Sequence, residues 1–409
     1  MRTLIAMALI TTAAGAQIPD SSVHESTRPS VHLTRPFRVC AGGDVTLGTN
    51  LDRAWQRMAA QRLSSLYSMS ADPDSLAAQL RPFVAGADVV LLNIEGAIGE
   101  GPAQTKCGAR STNCYAFRMP GGSAAALRRV ADTNVVLVGN VANNHARDAG
   151  DAGRDTTIAR LGAAGILVTG ADSNATPVPL PSGDTIAILG FYTDGLSPDA
   201  RNVALVRRLV ARAVARYPIV VVTMHLGAEG FDAQRTRNAS EIFLKKIDRG
   251  NPIAFADAAF AGGATLVIGH GPHVLRAAQW RGDRLVFYSL GNLLTYGPFG
   301  LNEPMNRGAI ACATIDSAQF VSSAELRPTM QLAPGVLQAD SSRRALKLVD
   351  SLSRLDFPKT GASVDSSGAL GRRSSLLAEP TPDKAAMKES VKRKGKTPPA
   401  TRGRRVPSP

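Results

Sequence analysis

Five short apolar runs each lead into side chains that bind cations or carry protons. Phe37–Cys40 runs into Ala-Gly-Gly-Asp44, Val89–Leu92 into Asn93-Ile94-Glu95, and Val135–Val138 into Gly139-Asn140-Val141-Ala142-Asn143-Asn144-His145. Ile219–Met224 leads to His225-Leu226-Gly227-Ala228-Glu229, and Thr265–Gly269 to His270-Gly271-Pro272-His273. Of the six histidines, His24 and His32 lie near the N-terminus; the other four, His145, His225, His270 and His273, all follow an apolar run. One histidine after a strand is ordinarily structural, but four so placed, with Asp44, Glu95 and Asn144, point to a shared site. Imidazole nitrogen combined with carboxylate and amide oxygen suits a divalent Mn, Zn or Fe ion, and Mg less well. No Cys pair is arranged as a closed tetrahedral site, so this reads as an open site of the catalytic kind, its number of ions unset. Two ions bridged by a carboxylate could activate a water and clamp a phosphoryl oxygen, the logic of metal-assisted phosphoester hydrolysis.

Such residues need a scaffold that gathers them. In open α/β sheets the carboxyl ends of parallel strands share one edge, so strand-end residues scattered along the chain converge in one crevice. The apolar runs read as strands Phe37–Cys40, Val89–Asn93, Val135–Val138, Ile166–Thr169, Thr185–Phe191, Ile219–Met224 and Thr265–Gly269, several buried on both faces. Val274–Trp280 and Arg284–Ser289 follow as a pair around Arg281-Gly282-Asp283, a hairpin turn. Helical spacing marks Asp74–Val84, Ser123–Ala131, Asp151–Ala164, Ala200–Arg216 and Thr236–Ala261, the last broken by Gly250-Asn251-Pro252. Residues 308–357 add a strand or two and a closing helix. The alternation is that of an α/β domain spanning residues 36–357. Asp148 is placed to cap the helix beginning near Asp151, with Gly150 easing the turn into it. Ser289 and Asn292 follow a further strand and either line the crevice or shape a turn. Gly42-Gly43 is followed by no Gly-Lys-Ser/Thr, and the chain has no Gly-x-Ser-x-Gly elbow, which argues against a phosphate loop and a serine hydrolase.

A chain of 409 residues with 44% hydrophobic content can bury a large core without staples. Residues 1–16 have the form of a signal peptide: Arg2, an apolar stretch to Ala13, and small residues Ala14-Gly15-Ala16. Residues 17–35 read as a linker, and the mature protein is expected to be exported: periplasmic, cell-surface or extracellular. Cys107 and Cys114 bracket a polar loop and form the natural disulfide pair, whereas Cys40 and Cys312 sit in apolar runs as plain buried cysteines. The net charge is +14, and residues 358–409, with twelve Lys and Arg against four Asp and Glu, hold eight of those charges. That composition predicts a disordered basic tail. Its expected partners are an anionic envelope polymer or its precursor, or a membrane surface, rather than a specific nucleic acid.

Taken in order, Gly43-Asp44-Val45-Thr46-Leu47-Gly48, Asn93-Ile94-Glu95, Ala142-Asn143-Asn144-His145-Ala146-Arg147-Asp148, His225-Leu226-Gly227-Ala228-Glu229, Gly269-His270-Gly271-Pro272-His273 and Tyr288-Ser289-Leu290-Gly291-Asn292 resemble the motif set of the CapA family. That is the bacterial capsule or poly-γ-glutamate synthesis family, of calcineurin-like metallophosphoesterase fold, and the resemblance covers roughly residues 36–328. It implies a layered sandwich of two central β-sheets flanked by helices, with a metal crevice at the strand ends. It implies Asp44, Glu95, Asn144, His225, His270 and His273 as metal ligands, with Asp44 and His145 in catalysis and His145 facing the phosphate. Asn93, Asn143, Glu229, Ser289 and Asn292 would then contact substrate. Two motifs depart from ordinary phosphoesterases: the second carboxylate is the Glu of Asn-Ile-Glu, and two residues separate His270 from His273. Three readings stay open, the first two being a metal-dependent hydrolase of an envelope polymer precursor and a non-catalytic accessory protein binding an anionic polymer in the same crevice. A secreted binding module with an incidental His cluster is the third.

Overall fold

The computed structural model describes residues 33–101, 106–108 and 114–373. The expected signal peptide, most of the linker and residues 374–409 of the tail lie outside them. Two sheets dominate. The eight-stranded first sheet runs Val336–Ala339, Val321–Leu332, Arg307–Ile315, Phe37–Leu47, Val89–Ile94, Val136–Asn140, Leu167–Thr169, with Asn292–Tyr296 also pairing to Phe37–Leu47. The six-stranded second sheet runs Ala278–Arg281, Arg284–Phe287, Leu266–His270, Val220–His225, Thr185–Phe191, Thr176–Pro179. In each, the central strands are parallel, so their carboxyl ends lie on one edge.

The core falls into three slabs, which fixes the layer order. One slab, including Val39, Leu91, Val138, Val221 and Ile268, takes side chains from both sheets and glues them face to face. A second packs the outer face of the first sheet against the helices Arg53–Tyr67, Pro73–Ala78, Ser123–Arg128 and Gly150–Ala163. The third packs the second sheet against Val203–Val214 and Pro252–Ala261. The result is a helix–sheet–sheet–helix sandwich, the expected fold class. Helix Arg344–Asp356 closes one end, placing Val349 in the inter-sheet slab and Leu352 in the outer one.

Side chains alternate between the faces of a strand, so the inter-sheet slab determines where each strand's last residue points. Val89 and Leu91 lie in that slab, and Asn93 continues their row; Val138 is continued by Asn140, Val221 by His225, and Leu266 and Ile268 by His270. Asp44 breaks this parity, because Val39 and Ala41 would bring residue 43 to the inner face. A one-residue bulge between Ala41 and Asp44, opposite Leu91 and Asn93, restores it. Gly43 permits the bulge: a Cβ there would lie 1.9 Å from the carbonyl oxygen of Gly291. The Asp44 amide donates to that same oxygen at 3.1 Å.

Several expectations change. The stretch 236–250 is not helical; it holds a small ribbon, Ile242–Phe243 with Ile247–Asp248, and only Pro252–Ala261 is helix. Where a strand or two were expected before the closing helix there are three, Arg307–Ile315, Val321–Leu332 and Val336–Ala339. The folded part extends beyond residues 36–357: Leu33 lies in the inter-sheet core, and a hairpin, Ala362–Val364 with Leu370–Arg372, follows the last helix. Tail residues 358–373 are therefore ordered. Cys40 and Cys312 are not plain cysteines; they oppose each other across adjacent antiparallel strands and are joined by a disulfide. Cys107 and Cys114 form a second.

Candidate metal centre

Four parallel strands of the first sheet deliver one polar row, with Asn292, Asp44, Asn93 and Asn140 in register side by side. Across the inter-sheet space, His225 and His270 are register partners at the end of the second sheet. The loops beyond these strand ends add Glu95, Asn144, His145, Glu229 and His273. Gly271, at φ 110°, lets the His270–His273 loop press against His225, whose ring would sit 3.1 Å from an added Cβ. His273 itself adopts φ 60°, a left-handed backbone unusual for a non-glycine residue, which turns its ring back over the row.

Asp44, Glu95 and His273 form a buried group whose candidate ligand atoms all lie within 4.8 Å of one another. His273 Nδ1 meets Asp44 Oδ2 at 2.9 Å and Asn292 Oδ1 at 3.1 Å, while its Nε2 stands 3.8 Å from Glu95 Oε1 and 3.8 Å from Glu229 Oε2. His225 Nε2 and His145 Nε2 approach the same Glu95 oxygen at 3.9 and 4.0 Å. Glu95 is thus the hub. Both of its carboxylate oxygens are buried without a hydrogen-bond partner, as are His225 Nε2, Asn144 Oδ1 and both ring nitrogens of His270. A buried polar atom left unpaired carries a desolvation penalty that a bound cation relieves. Asp44, Glu95 and His273, with His225 Nε2 beside Glu95, are a carboxylate and imidazole donor set fitted to a divalent ion; Asn144 and His270 lie outside that tight group.

The charge states follow from the packing. Burial opposes ionisation of Asp44, yet the His273 hydrogen bond and charge, aided by Asn93, hold its carboxyl below the ordinary range. Burial and the neighbouring Asp44 charge push Glu95 up to about 8. Burial opposes protonation of His273, but Glu95 and Asp44 outweigh it and lift the ring to about 9. Burial lowers His145 and His270 to about 4, with Lys106 adding to the effect at His145. His225 is driven well below its usual value by burial and then by Arg249 and His273.

Other expected site residues hold the frame. Asn93 Nδ2 donates to Asp44 Oδ1 at 2.8 Å, and its Oδ1 accepts from Asn140 at 2.9 Å and Asn143 at 3.1 Å. Asn143 also donates to the Ile94 carbonyl, and its Oδ1 accepts from the His145 amide. The side chains of Asn93 and Asn143 are thus both buried and engaged in internal hydrogen bonds. Ser289 Oγ accepts from the Gly291 amide at 3.2 Å and shapes the turn before Asn292. Asn144 Nδ2 reaches Glu229 Oε1 at 3.3 Å.

Four residues escaped sequence reasoning. Asp148 caps no helix; the helix begins at Gly150 without a side-chain cap. Its Oδ2 instead lies 2.6 Å from His145 Nδ1 and accepts from the Phe117 amide, and Lys106 Nζ lies 2.5 Å from its Oδ1. The i to i+3 spacing of His145 and Asp148 was the available signal. Arg249 pairs with Glu229 and donates to the Tyr192 hydroxyl at 2.8 Å, and the Tyr192 ring packs edge-on against His225. Nothing in the spacing marks Arg249 or Tyr192. In front of the metal residues opens a cleft of about 300 Å³ walled by Phe117, Phe243, Phe299, His145, Glu229 and His273.

A family model described as bacterial capsule synthesis protein PGA_cap matches residues 38–296. The PGA biosynthesis protein CapA of Bacillus subtilis (strain 168) is 28% identical over 181 residues, 40% of this chain and 43% of that protein. The match therefore spans less than half the relative's length. Among solved structures, a protein assigned as a 5'-nucleotidase from Staphylococcus aureus, in complex with α-ketoglutarate, aligns at TM-score 0.42 and 14% identity, covering 78% of this chain and 59% of that one. A 5'-nucleotidase precursor from Thermus thermophilus aligns at 0.36 and 13%, covering 79% and 59%. The family match runs from Arg38, at the start of the strand that carries Asp44, to Tyr296, just past Asn292, and takes in every candidate ligand; this chain belongs to the bacterial capsule synthesis protein family PGA_cap.

Proposed function

We propose that the chain is an exported, divalent-metal-dependent hydrolase acting on a phosphoester bond of an envelope polymer or its precursor, in the service of capsule or poly-γ-glutamate synthesis. The observation that carries this reading is Glu95: a carboxylate wholly inside the protein, unpaired at both oxygens, with His145, His225 and His273 around it at 3.8–4.0 Å. Asp44, Glu95 and His273 would hold the ion, Mn, Zn or Fe, with Asn144, His225 and His270 completing the set. A bound divalent ion supplies Lewis acidity and an activated water. His145 stays neutral near pH 7 and presents Nε2 toward Glu95, where it can take and return a proton while Asp148 offsets charge at Nδ1. Glu229, at the cleft wall, orients the substrate beside His273.

Two disulfides favour an oxidising compartment, in keeping with the signal peptide expected at residues 1–16. Among the described residues no helix is long and apolar enough to cross a membrane. The basic residues beyond 373 are proposed to contact anionic envelope polymer; deleting residues 374–409 should weaken salt-sensitive association with envelope material, and unchanged association rejects that part.

The central test is metal analysis of the purified protein with phosphomonoesterase and phosphodiesterase assays, for wild type and His225→Ala. Loss of both metal and turnover in the variant supports the hydrolase. Bound metal with no turnover on any ester assigns the accessory, polymer-binding role instead.

A further inference from the structure

Beside the cleft stands a ribbon that the hydrolase reading does not use. Strands Ile242–Phe243 and Ile247–Asp248 pair only with each other. The Lys246 amide donates to the Phe243 carbonyl at 3.2 Å, and the two residues between, Leu244 and Lys245, are both left-handed at φ 50° and 60°. A turn of that shape ordinarily takes Asn-Gly, so leucine and lysine stand there against local preference. Ile242, Leu244 and Ile247 are 52%, 57% and 39% exposed. Phe231, 61% exposed, follows Gly230, which lines the same cleft as Phe243. Isolated apolar residues on a surface are ordinary; three on one short ribbon, with a fourth on the neighbouring loop, are a grouping of the kind that marks an interaction site. Lys245 and Lys246, both exposed, interrupt them.

We propose that the 242–248 ribbon, together with Phe231, docks the mouth of the cleft onto an anionic lipid bilayer. Ile242, Leu244 and Ile247 enter the acyl boundary, while Lys245 and Lys246 extend their stems to the headgroups. Lysines are depleted from the cores of protein–protein interfaces, whereas aliphatic side chains mixed with lysines suit a membrane surface. In the pairing register Ile247 shares a face with Phe243, which lines the cleft, and Ile242 shares the other with Asp248, so the ribbon enters tip first with Leu244 leading and Ile247 on the cleft side. Docking therefore opens the cleft toward lipid, and an ester with an apolar anchor reaches His145 and His273 from the bilayer.

The test uses the full-length protein and vesicles of equal parts phosphatidylglycerol and phosphatidylethanolamine, with phosphatidylcholine vesicles for comparison. In Leu244→Trp, indole emission shifts to the blue on the anionic vesicles and is quenched by brominated acyl chains beyond the background of Trp55 and Trp280. The double substitution Leu244→Ser/Ile247→Ser weakens partitioning about tenfold or more, and Lys245→Glu/Lys246→Glu lowers the anionic preference of the indole shift in Leu244→Trp. Because the basic tail is present throughout, the indole signal isolates the ribbon. An indole that stays solvent-like on vesicles overturns the proposal. So does wild-type partitioning by the serine variant, or a serine variant that changes only the oligomeric state in sedimentation, which makes the ribbon a protein contact. None of these readouts involves metal or turnover, so the hydrolase reading can fail separately.

Discussion

His273 and Asp44 lie 229 residues apart in the chain and meet at 2.9 Å, ring Nδ1 to carboxylate Oδ2. Each belongs to a different sheet system. Asp44 ends the inward row of the first sheet, and His273 hangs from the loop after the second sheet's Leu266–His270 strand. Their contact is the seam where the two strand edges close over Glu95.

Removing one member of this buried pair leaves the other charge uncompensated, so Asp44→Ala should cost about 3–5 kcal/mol of stability in chelator-treated protein. Asp44→Asn should lose less, since it keeps the Asn93 contact, yet it should lose metal as completely as alanine. Denaturant unfolding and metal analysis read the two effects separately. Equal destabilisation by both substitutions would mean that the lost charge carries the whole cost and the Asn93 contact none of it.

Proton linkage gives a second prediction. Glu95, at about 8, and His273, at about 9, are both raised, so the folded chelator-treated protein binds more protons than the unfolded chain across neutral pH. Stability should then fall as pH rises from about 7 through about 9, whereas below 6.5 the depressed His145, His225 and His270 oppose that trend. Glu95→Gln removes the first group and lowers the second, so its melting temperature should decline less over that range. Divalent metal binds the deprotonated ligands and should release protons, most near pH 7 and least above 9. Calorimetric titration in buffers of differing ionisation enthalpy measures this; metal binding with no proton release at pH 7 would falsify the charge assignment.

The strand-end ligands were legible because a strand buried on both faces reads as an unbroken apolar run, so Asn93, His225 and His270 stand out where the run stops. Parity then tells which face each occupies. Asp44 defeats that reasoning, since alternation from Val39 and Ala41 aims it outward; the bulge that reverses it depends on Gly43 meeting Gly291, a contact between strands 248 residues apart. The stretch 236–250 carried helix-like apolar spacing, but Ile242, Leu244 and Ile247 face solvent, so the pattern reported no core. Asp148 had the composition of a cap, and only the fold shows His145 folded back onto it. The opposition of Cys40 and Cys312 is a matter of strand register, which neither local sequence contains.

Asp148 acts through His145, fixing its ring from behind, and a partner of that kind is worth roughly 10–100-fold in activity or metal affinity. Asp148→Asn should lower turnover by that order while leaving Asp44, Glu95 and His273 in place. Lys106→Met should weaken the same contact less, because the Phe117 amide still anchors Asp148. A shifted pH–rate profile in Asp148→Asn marks a positioning role; a uniformly lower rate that tracks lost fold marks a merely structural one.

The two disulfides should separate stability from function. Cys40 and Cys312 are buried opposite one another and link positions 272 residues apart, so their bond restrains a very long loop of the unfolded chain. Cys40→Ala/Cys312→Ala should lower stability by about 2–4 kcal/mol. Cys107 and Cys114 span only seven residues, and their loop flanks Lys106, which grips Asp148, and Tyr115, at the rim of the cleft. Cys107→Ser/Cys114→Ser should therefore alter turnover or substrate affinity more than melting temperature. If reduction of the wild-type protein lowers the melting temperature no further than this second pair does, the Cys40–Cys312 bond contributes nothing to the fold. The packing of that strand pair then carries the load alone.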